Sequence, residues 1–204
     1  MIRHGETAWS LSGRHTGATD VPLTAKGRRQ AERFRPILAR EVFRLVLVSP
    51  LQRARETCAL AGLGERAVVD PDLTEWNYGE YEGLTPQQIN DLHPGWLIFR
   101  DGCPGGETPD EVGARVDRLI LQARAGVEDV ALFGHGHVLR VFAARWLGLP
   151  ALGGQHFLLD TSALSVLGYY HDVPAVKIWN GPLEIARSRF AITASGDESD
   201  VGRQ

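Results

Sequence analysis

Two patterns of apolar residues alternate along the chain and predict alternating strands and helices. Continuous apolar runs are typical of strands buried on both faces, and apolar residues every three or four positions are typical of helices. The predicted strands are Leu45–Val48, Val68–Val69 and Val130–Phe133, followed by a hairpin of Leu158–Tyr170 and Val176–Trp179. The predicted helices are Thr24–Glu41, a helix from Ser49-Pro50 to about Ala61, Thr85–Leu92, Thr108–Ala125 and Val138–Leu147.

The alternation indicates a single α/β domain. Strands that alternate with helices form a mainly parallel sheet with helices on both faces, which is a three-layer α/β/α arrangement. We assign residues 1–192 to this domain and expect the polar residues 193–204 to form a disordered tail. Residues 3–23 are polar and rich in glycine, and we expect them to form a long loop.

Two local signals refine the predicted helices. Pro36 lies inside the pattern of the first helix and should kink or shorten it. Thr108-Pro109-Asp110-Glu111 combines an N-cap residue, a proline at the first helical position and a glutamate at the third. These residues predict a helix that starts at Thr108.

Composition and charge exclude several classes of protein. The 204 residues are 43% hydrophobic and 23% charged with a net charge of −3, so nothing attracts the whole chain to nucleic acid or an anionic membrane. Cys58 and Cys103 are too few for a disulfide framework, and no Cys-x-x-Cys spacing indicates a metal. We find no signal-peptide core and no apolar run near the roughly 18 residues of a membrane span, and we expect a cytoplasmic protein.

Polar clusters follow the ends of two predicted parallel strands. Leu45–Val48 leads into a segment that contains Arg53, and Val130–Phe133 leads into Gly134-His135-Gly136-His137. Ligands bind beyond the carboxyl ends of the strands in such sheets. Arg3-His4-Gly5-Glu6 fits as a third cluster at the same edge, although only Met1 and Ile2 precede it.

The residue types at this edge favour chemistry on a phosphate monoester. Arginine forks match phosphate oxygens, and a neutral imidazole is a competent nucleophile toward phosphorus. Arg3 and Arg53 should lower the pKa of His4 and keep its imidazole neutral. The departing oxygen also needs a proton, for which Glu75 between aromatic residues is a candidate. The competing carboxylates are those of Glu80 and Glu82.

Four motifs in order resemble the histidine phosphatase superfamily, also called the phosphoglycerate mutase-like fold. They are RHGETAW, SPLQRARET, EWNYGEYEG and GHGH, and the resemblance extends from Arg3 to about Asn180. It implies that His4 becomes phosphohistidine and that Glu75 donates the proton. The residues implied to hold the phosphoryl group are Arg3, Arg53 and His135. The candidates for substrate contact are Ser10, Thr16, Gly17 and Gly136. The resemblance implies no metal and no organic cofactor.

Within this family, RHGETAWSLSGRHTG and EWNYGEYEGL are similar to a subgroup of broad acid phosphatases and sedoheptulose bisphosphatases. The mutases carry an extra segment after the catalytic glutamate, whereas Gly105-Gly106-Glu107 here follows soon after Glu75. Water should therefore reach the phosphohistidine. The resemblance implies a metal-independent phosphatase that hydrolyses small phosphorylated metabolites such as sugar phosphates.

Several alternatives remain open. In the family a longer central strand precedes the Arg-His pair, so we expect either upstream codons for that strand or a truncated native strand. A phosphoglycerate mutase is the second candidate, and a catalytically weak phosphate-binding protein is the third if the short N-terminus is native.

His135 and His137 would share one face of a strand and could bind a metal, but Gly134 and Gly136 favour a loop. The candidate contacts in residues 10–17 also fit local turn chemistry. The apolar strand near the C-terminus forms either a homodimer edge or a strand covered by its own chain.

Overall fold

The computed structural model describes residues 1–181, which contain one six-stranded sheet. Its strands are β1 (Ile2–Arg3), β2 (Leu45–Val48), β3 (Ala67–Val69), β4 (Val130–Gly134), β5 (Leu164–Tyr170) and β6 (Val173–Gly181). Their order in the sheet is β3-β2-β4-β1-β5-β6. β1 to β4 run parallel to one another, and β5 and β6 are antiparallel additions, so the mainly parallel sheet is confirmed.

Helices connect the strands. They are α1 (Ala8–Leu11), α2 (Ala25–Glu32), α3 (Arg35–Leu38), α4 (Gln52–Leu60), α5 (Pro86–Leu92), α6 (Ile98–Asp101), α7 (Pro109–Ala123) and α8 (Gly136–Trp146). Short 3-10 helices occupy Gly64–Arg66, Pro71–Leu73, Gly79–Tyr81 and Ala151–His156. No helix within residues 1–181 is long and apolar enough to cross a membrane.

Two hydrophobic cores lie on opposite faces of the sheet. Because side chains alternate along a strand, Leu47 of β2 belongs to one core while Val46 and Val48 belong to the other. The first core contains the apolar faces of α7 and α8, and the second contains those of α3 and α4. Each fully buried Leu, Val or Phe side chain contributes about 1.5–3 kcal/mol relative to exposure. The three-layer α/β/α arrangement is thus confirmed.

Two predicted helix signals are confirmed. The Thr108 side chain accepts the N–H of Glu111, and the Glu111 carboxylate accepts the N–H of Thr108 at 2.8 Å. The helix predicted over Thr24–Glu41 is divided into α2 and α3, with Pro36 in the first turn of α3. A proline is tolerated there because the first-turn N–H groups have no partner within the helix.

Three predicted boundaries are wrong. Residues 3–23 are not an unbroken loop, because Thr7 and Ser10 form a reciprocal capping box around α1. β5 begins at Leu164 rather than Leu158, because Ser162 has a left-handed backbone (φ 58°) that interrupts an extended chain. β6 begins at Val173 rather than Val176, directly after a tight turn. The predicted domain end at residue 192 and the tail over 193–204 lie outside the described residues.

The short strand β1 takes a central place between β4 and β5. Ile2 pairs with Phe133 on one side and Leu164 on the other, and it is 2% exposed. The backbones of Met1 and Ser165 exchange two hydrogen bonds of 2.8 and 2.9 Å. Backbone hydrogen bonds from both neighbouring segments therefore support the residue that follows β1, His4.

Candidate active site

The carboxyl ends of three parallel strands bring the predicted polar clusters together. Arg3 at the end of β1 is in register with Gly134 of β4, and Val48 at the end of β2 is in register with Phe133. His4 then donates its N–H to the Gly134 carbonyl at 3.0 Å, and its own carbonyl accepts the N–H of Ser162 at 3.0 Å. The arrangement follows from parallel pairing, which aligns strand ends at one edge.

His4 presents one free ring nitrogen at this edge. Its Nδ1 lies 2.7 Å from the Gly5 carbonyl, and because a carbonyl only accepts, Nδ1 carries the proton. The lone pair is therefore on Nε2, which has no partner among residues 1–181. Burial, assisted by the charges of Arg3 and Arg53, holds the pKa of His4 well below 6.5. The imidazole is neutral at physiological pH.

The glycine after His4 is required by a close backbone approach. A Cβ on Gly5 would lie 2.4 Å from the carbonyl oxygen of Gly27 in α2. The Gly5 N–H donates to the buried hydroxyl of Thr57 at 3.1 Å, and that hydroxyl donates to the Arg53 carbonyl at 2.7 Å. Packing between β1, α2 and α4 thus sets the position of the carbonyl that orients His4.

Arg53 is fully buried and holds the loop that follows α1. Its Nη1 donates to Thr19 O, and its Nη2 donates to Thr16 O and Gly17 O, all at 2.9 Å. Its Nε donates to Nδ1 of His135 at 3.1 Å. One hydrogen on Nη1 is left for an anion. Arg53, which the sequence predicts to bind phosphate, therefore donates most of its N–H groups to protein acceptors.

His135 lies beside His4, with ring centroids 5.1 Å apart. Because Arg53 donates to Nδ1, the proton of the neutral ring is on Nε2, which donates to Ser49 Oγ at 2.7 Å. Burial and the Arg53 charge hold the pKa of His135 well below its usual value. A contact between His135 Nε2 and a phosphoryl oxygen would therefore compete with Ser49.

Arg3 has the donor that most clearly lacks an acceptor. Its Nη1 donates to the Leu159 carbonyl, whereas its Nε is buried and has no partner among the described residues. Gly136 packs against this guanidinium, since a Cβ there would lie 3.2 Å from Arg3 Cζ. The Gly136 N–H, at the first position of α8, also has no partner within residues 1–181. Buried donors left without acceptors are costly unless a ligand accepts their hydrogens.

Glu75 lies against the N-terminus of α8. Its Oε1 accepts the N–H groups of Val138 at 2.9 Å and Trp76 at 3.0 Å, and its Oε2 accepts the N–H of His137 at 3.0 Å. Glu75 is 6% exposed and replaces the side-chain cap that α8 lacks. Oε1 uses both of its lone pairs in these contacts and Oε2 uses one. Oε2 therefore keeps one lone pair that could bind and release a proton.

The competing carboxylates have other contacts. Glu82 accepts the N–H groups of Gly17 at 3.0 Å and Thr19 at 3.1 Å, and it helps Arg53 to hold the same loop. Glu80 is exposed. Neither carboxylate binds α8, so the structure separates the three glutamates that the sequence leaves as competitors.

The predicted substrate contacts lie near this edge with mixed roles. Ser10 uses its hydroxyl in the capping box of α1, accepting from Thr7 N at 2.9 Å. Thr16 and Gly17 offer carbonyls to Arg53, and the Thr16 hydroxyl donates to Arg14 O at 3.1 Å. The structure thus supports turn chemistry at these residues, and substrate contact stays a prediction.

Aromatic and imidazole rings line the space next to Glu75, and the sequence does not assign them to the site. His137 Nδ1 lies 2.6 Å from the Tyr78 hydroxyl, and its ring is nearly parallel to that of His15 at 5.9 Å. Burial, with Arg140 nearby, holds the pKa of His137 well below its usual value.

No group of three His, Cys, Asp or Glu residues in the described part of the chain is arranged to hold a metal ion. Sequence reasoning also overlooked Ser49 and Thr57, although both lie in the SPLQRARET motif.

Comparison with known proteins places this geometry in a family. The family model described as "Histidine phosphatase superfamily (branch 1)" matches residues 1–182. The chain belongs to the histidine phosphatase superfamily. The chain is 41% identical over 177 residues to an acid phosphatase from Mycobacterium tuberculosis, covering 85% of this chain and 87% of that protein. It is 39% identical to the sedoheptulose 1,7-bisphosphatase of Saccharomyces cerevisiae, covering 87% and 90% of the two chains.

Solved structures agree with the sequence relatives. The chain superposes with a TM-score of 0.84 and 40% identity on an open reading frame product from Mycobacterium tuberculosis, covering 88% of this chain and 94% of that chain. A mycobacterial glucosyl-3-phosphoglycerate phosphatase, solved in complex with VO3, matches with a TM-score of 0.79 and 28% identity, covering 89% and 98%. The predicted family and fold are therefore confirmed.

Proposed function

We propose that this chain is a phosphatase that hydrolyses small phosphorylated metabolites through a phosphohistidine on His4. The observation that carries the proposal is the state of the His4 ring. Its Nδ1 proton is held by the Gly5 carbonyl, its Nε2 lone pair is free, and burial beside two arginines keeps it neutral. A neutral imidazole with one free nitrogen is the form that attacks phosphorus.

Unpartnered donors at the same sheet edge support a phosphoryl site beside this nitrogen. The buried Arg3 Nε, the Gly136 N–H at the start of α8 and the remaining Arg53 Nη1 hydrogen are unpartnered within residues 1–181. A helix N-terminus and guanidinium donors both favour an anion. These donors would stabilise the charge that develops on the equatorial phosphoryl oxygens.

In the first half-reaction His4 Nε2 forms a bond to phosphorus as the ester P–O bond breaks. The departing alcohol oxygen takes the proton from Glu75 Oε2, which leaves a carboxylate held by three backbone N–H groups. In the second half-reaction water attacks phosphorus while Glu75 takes its proton. The P–N bond breaks, phosphate is released, and His4 and Glu75 return to their initial states.

The substrate class we propose is small phosphorylated metabolites, in particular sugar phosphates. The support is the relatives, whose names are acid phosphatase, sedoheptulose 1,7-bisphosphatase and glucosyl-3-phosphoglycerate phosphatase. Imidazole and phenol groups beside Glu75 would offer hydrogen bonds to a hydroxylated leaving group. The cytoplasmic location and the homodimer stay predictions.

Trapping the intermediate tests the mechanism. The enzyme is mixed with a phosphate-labelled monoester, denatured in base within one turnover, and mapped by mass spectrometry. We expect an acid-labile phosphoryl group on His4, and neither label nor turnover in His4→Ala. His156→Ala, which alters an exposed histidine, is the matched control and should behave as wild type. Full turnover in His4→Ala would end the proposal.

A further inference from the structure

A partly buried ion pair contacts the segment that carries the proposed acid. Arg115 of α7 donates Nε and Nη2 to the two carboxylate oxygens of Glu107, at 2.8 and 3.0 Å. The Arg115 side chain is 10% exposed and the Glu107 side chain 23%. A bidentate pair of this kind fixes the orientation of both groups as well as their separation.

The pair is attached to the backbone on both sides of Glu75. Arg115 Nη1 donates to Asp72 O and Thr74 O, both at 2.6 Å, and Thr74 is the residue before the acid. Glu107 Oε2 accepts the N–H of Asn77 at 2.8 Å, two residues after the acid. One ion pair therefore makes hydrogen bonds to the backbone both before and after Glu75.

The backbone of Glu107 adds two hydrogen bonds to the same segment. Its N–H donates to Asn77 O at 2.9 Å, and its carbonyl accepts the indole N–H of Trp76 at 2.9 Å. Neither Arg115 nor Glu107 contacts the Glu75 carboxylate itself. Their action on the Glu75 carboxylate would therefore be exerted through backbone position rather than through direct contact.

We propose that the Arg115–Glu107 pair is a positioning device that holds the Glu75 carboxylate where it can protonate the leaving group. This inference rests on the proposed role of Glu75 as the acid. The groups that bind the phosphoryl unit belong to β1, α4 and the start of α8, and none of them bonds to the pair. Loss of the pair should therefore impair proton delivery more than phosphoryl binding.

The leaving group separates these two effects. An alkyl alcohol departs poorly without a proton, and general acid catalysis contributes about 10²–10⁴ in rate. p-Nitrophenolate departs readily without one. In the first half-reaction a displaced acid therefore slows an alkyl phosphate far more than p-nitrophenyl phosphate, whereas general disorder of the site slows both equally.

α7 offers a matched control. Arg118, three residues after Arg115, makes a bidentate pair with the Asp72 carboxylate at 2.6 and 2.8 Å. It lies on the same helix, carries the same charge and contacts the same segment. It touches neither Glu107 nor the Thr74 carbonyl, and its side chain is 60% exposed.

The experiment compares Arg115→Met, Glu107→Gln and Arg118→Met with wild type on glycerol 2-phosphate and p-nitrophenyl phosphate. The quantity compared is kcat/KM, which covers the steps through departure of the alcohol and excludes hydrolysis of the phosphohistidine. For the first two variants we expect kcat/KM on glycerol 2-phosphate to fall 10- to 100-fold and kcat/KM on p-nitrophenyl phosphate to change less than threefold. Arg118→Met should match wild type on both. Glu107→Gln preserves shape and supplies the answer if Arg115→Met does not fold, which thermal unfolding monitors.

Equal losses on both substrates, or no loss on either, would overturn the inference. Glu75→Gln is measured in parallel and should show the same selective loss on glycerol 2-phosphate. If Glu75→Gln shows no selectivity, the assigned acid is wrong and the positioning role falls with it. If Glu75→Gln is selective and the pair variants are not, only the positioning role is rejected.

Discussion

Arg53 is the residue whose replacement tests the geometry of the site most severely. Its guanidinium makes four hydrogen bonds to protein acceptors, three of them to carbonyls of the 16–19 loop and one to His135. Arg53→Lys keeps the positive charge, but an ammonium cannot reproduce a planar fork with separated donors. The substitution therefore isolates geometry from charge.

The magnitude follows from the number of bonds lost. An ammonium in place of the fork would retain one or two of these contacts and lose two or three. At about 1 kcal/mol net for each intramolecular hydrogen bond, we expect the free energy of unfolding to fall by about 2–3 kcal/mol. His135 also loses the donor that sets its tautomer, so we expect kcat to fall as well.

Urea unfolding and steady-state kinetics measure the two effects. The control is Arg55→Lys, two positions further along α4, where the side chain is exposed. Its free energy of unfolding should stay within about 0.5 kcal/mol of wild type, as is usual for surface changes. If Arg53→Lys is also that close to wild type with an unchanged m-value, the buried network does not hold the loop as described.

The remaining predictions concern protons and a buried hydroxyl. Histidine-ring NMR of the free enzyme should show His4 still neutral at pH 6, since burial depresses its pKa; titration at the ordinary 6.5 would contradict this. His4, His135 and His137 all have depressed pKa values, so the unfolded chain binds more protons as pH falls below about 6.5. Stability should therefore be fully present above that pH and decline below it, by up to about 1.4 kcal/mol per pH unit for each imidazole in urea titrations; a flat profile between pH 6.5 and 5 would refute the burial argument. Thr57→Val leaves the buried Gly5 N–H without an acceptor and should destabilise the fold by about 1–3 kcal/mol, whereas a change under about 0.5 kcal/mol would show that this N–H finds another partner.

Local sequence patterns determined much of the fold. The apolar run Leu45–Val48 matches β2 to the residue, and Thr108 to Glu111 form the capping box that starts α7. Both signals depend on neighbours a few positions away. By contrast, α1 has four residues and no apolar periodicity, and its capping box lies in a segment whose composition is typical of a loop. A short helix of this kind depends on its caps and on packing rather than on propensity.

The sequence by itself determined which chemistry is present. Three of the four motifs follow parallel strands, and parallel strands align their carboxyl ends, so these motifs bring two histidines and two arginines to one sheet edge. Only the tertiary structure decided which donor is free for a ligand. Arg53, which the motif suggests as a phosphate ligand, gives most of its hydrogens to carbonyls, while Arg3 retains a buried Nε without a partner. Glu75 differs from Glu82 only in its contacts, since one carboxylate meets a helix N-terminus and the other a loop. The physical reason is that a polar group's state depends on its partners, and folding brings the partners of Arg53 from 34 to 82 residues away along the chain.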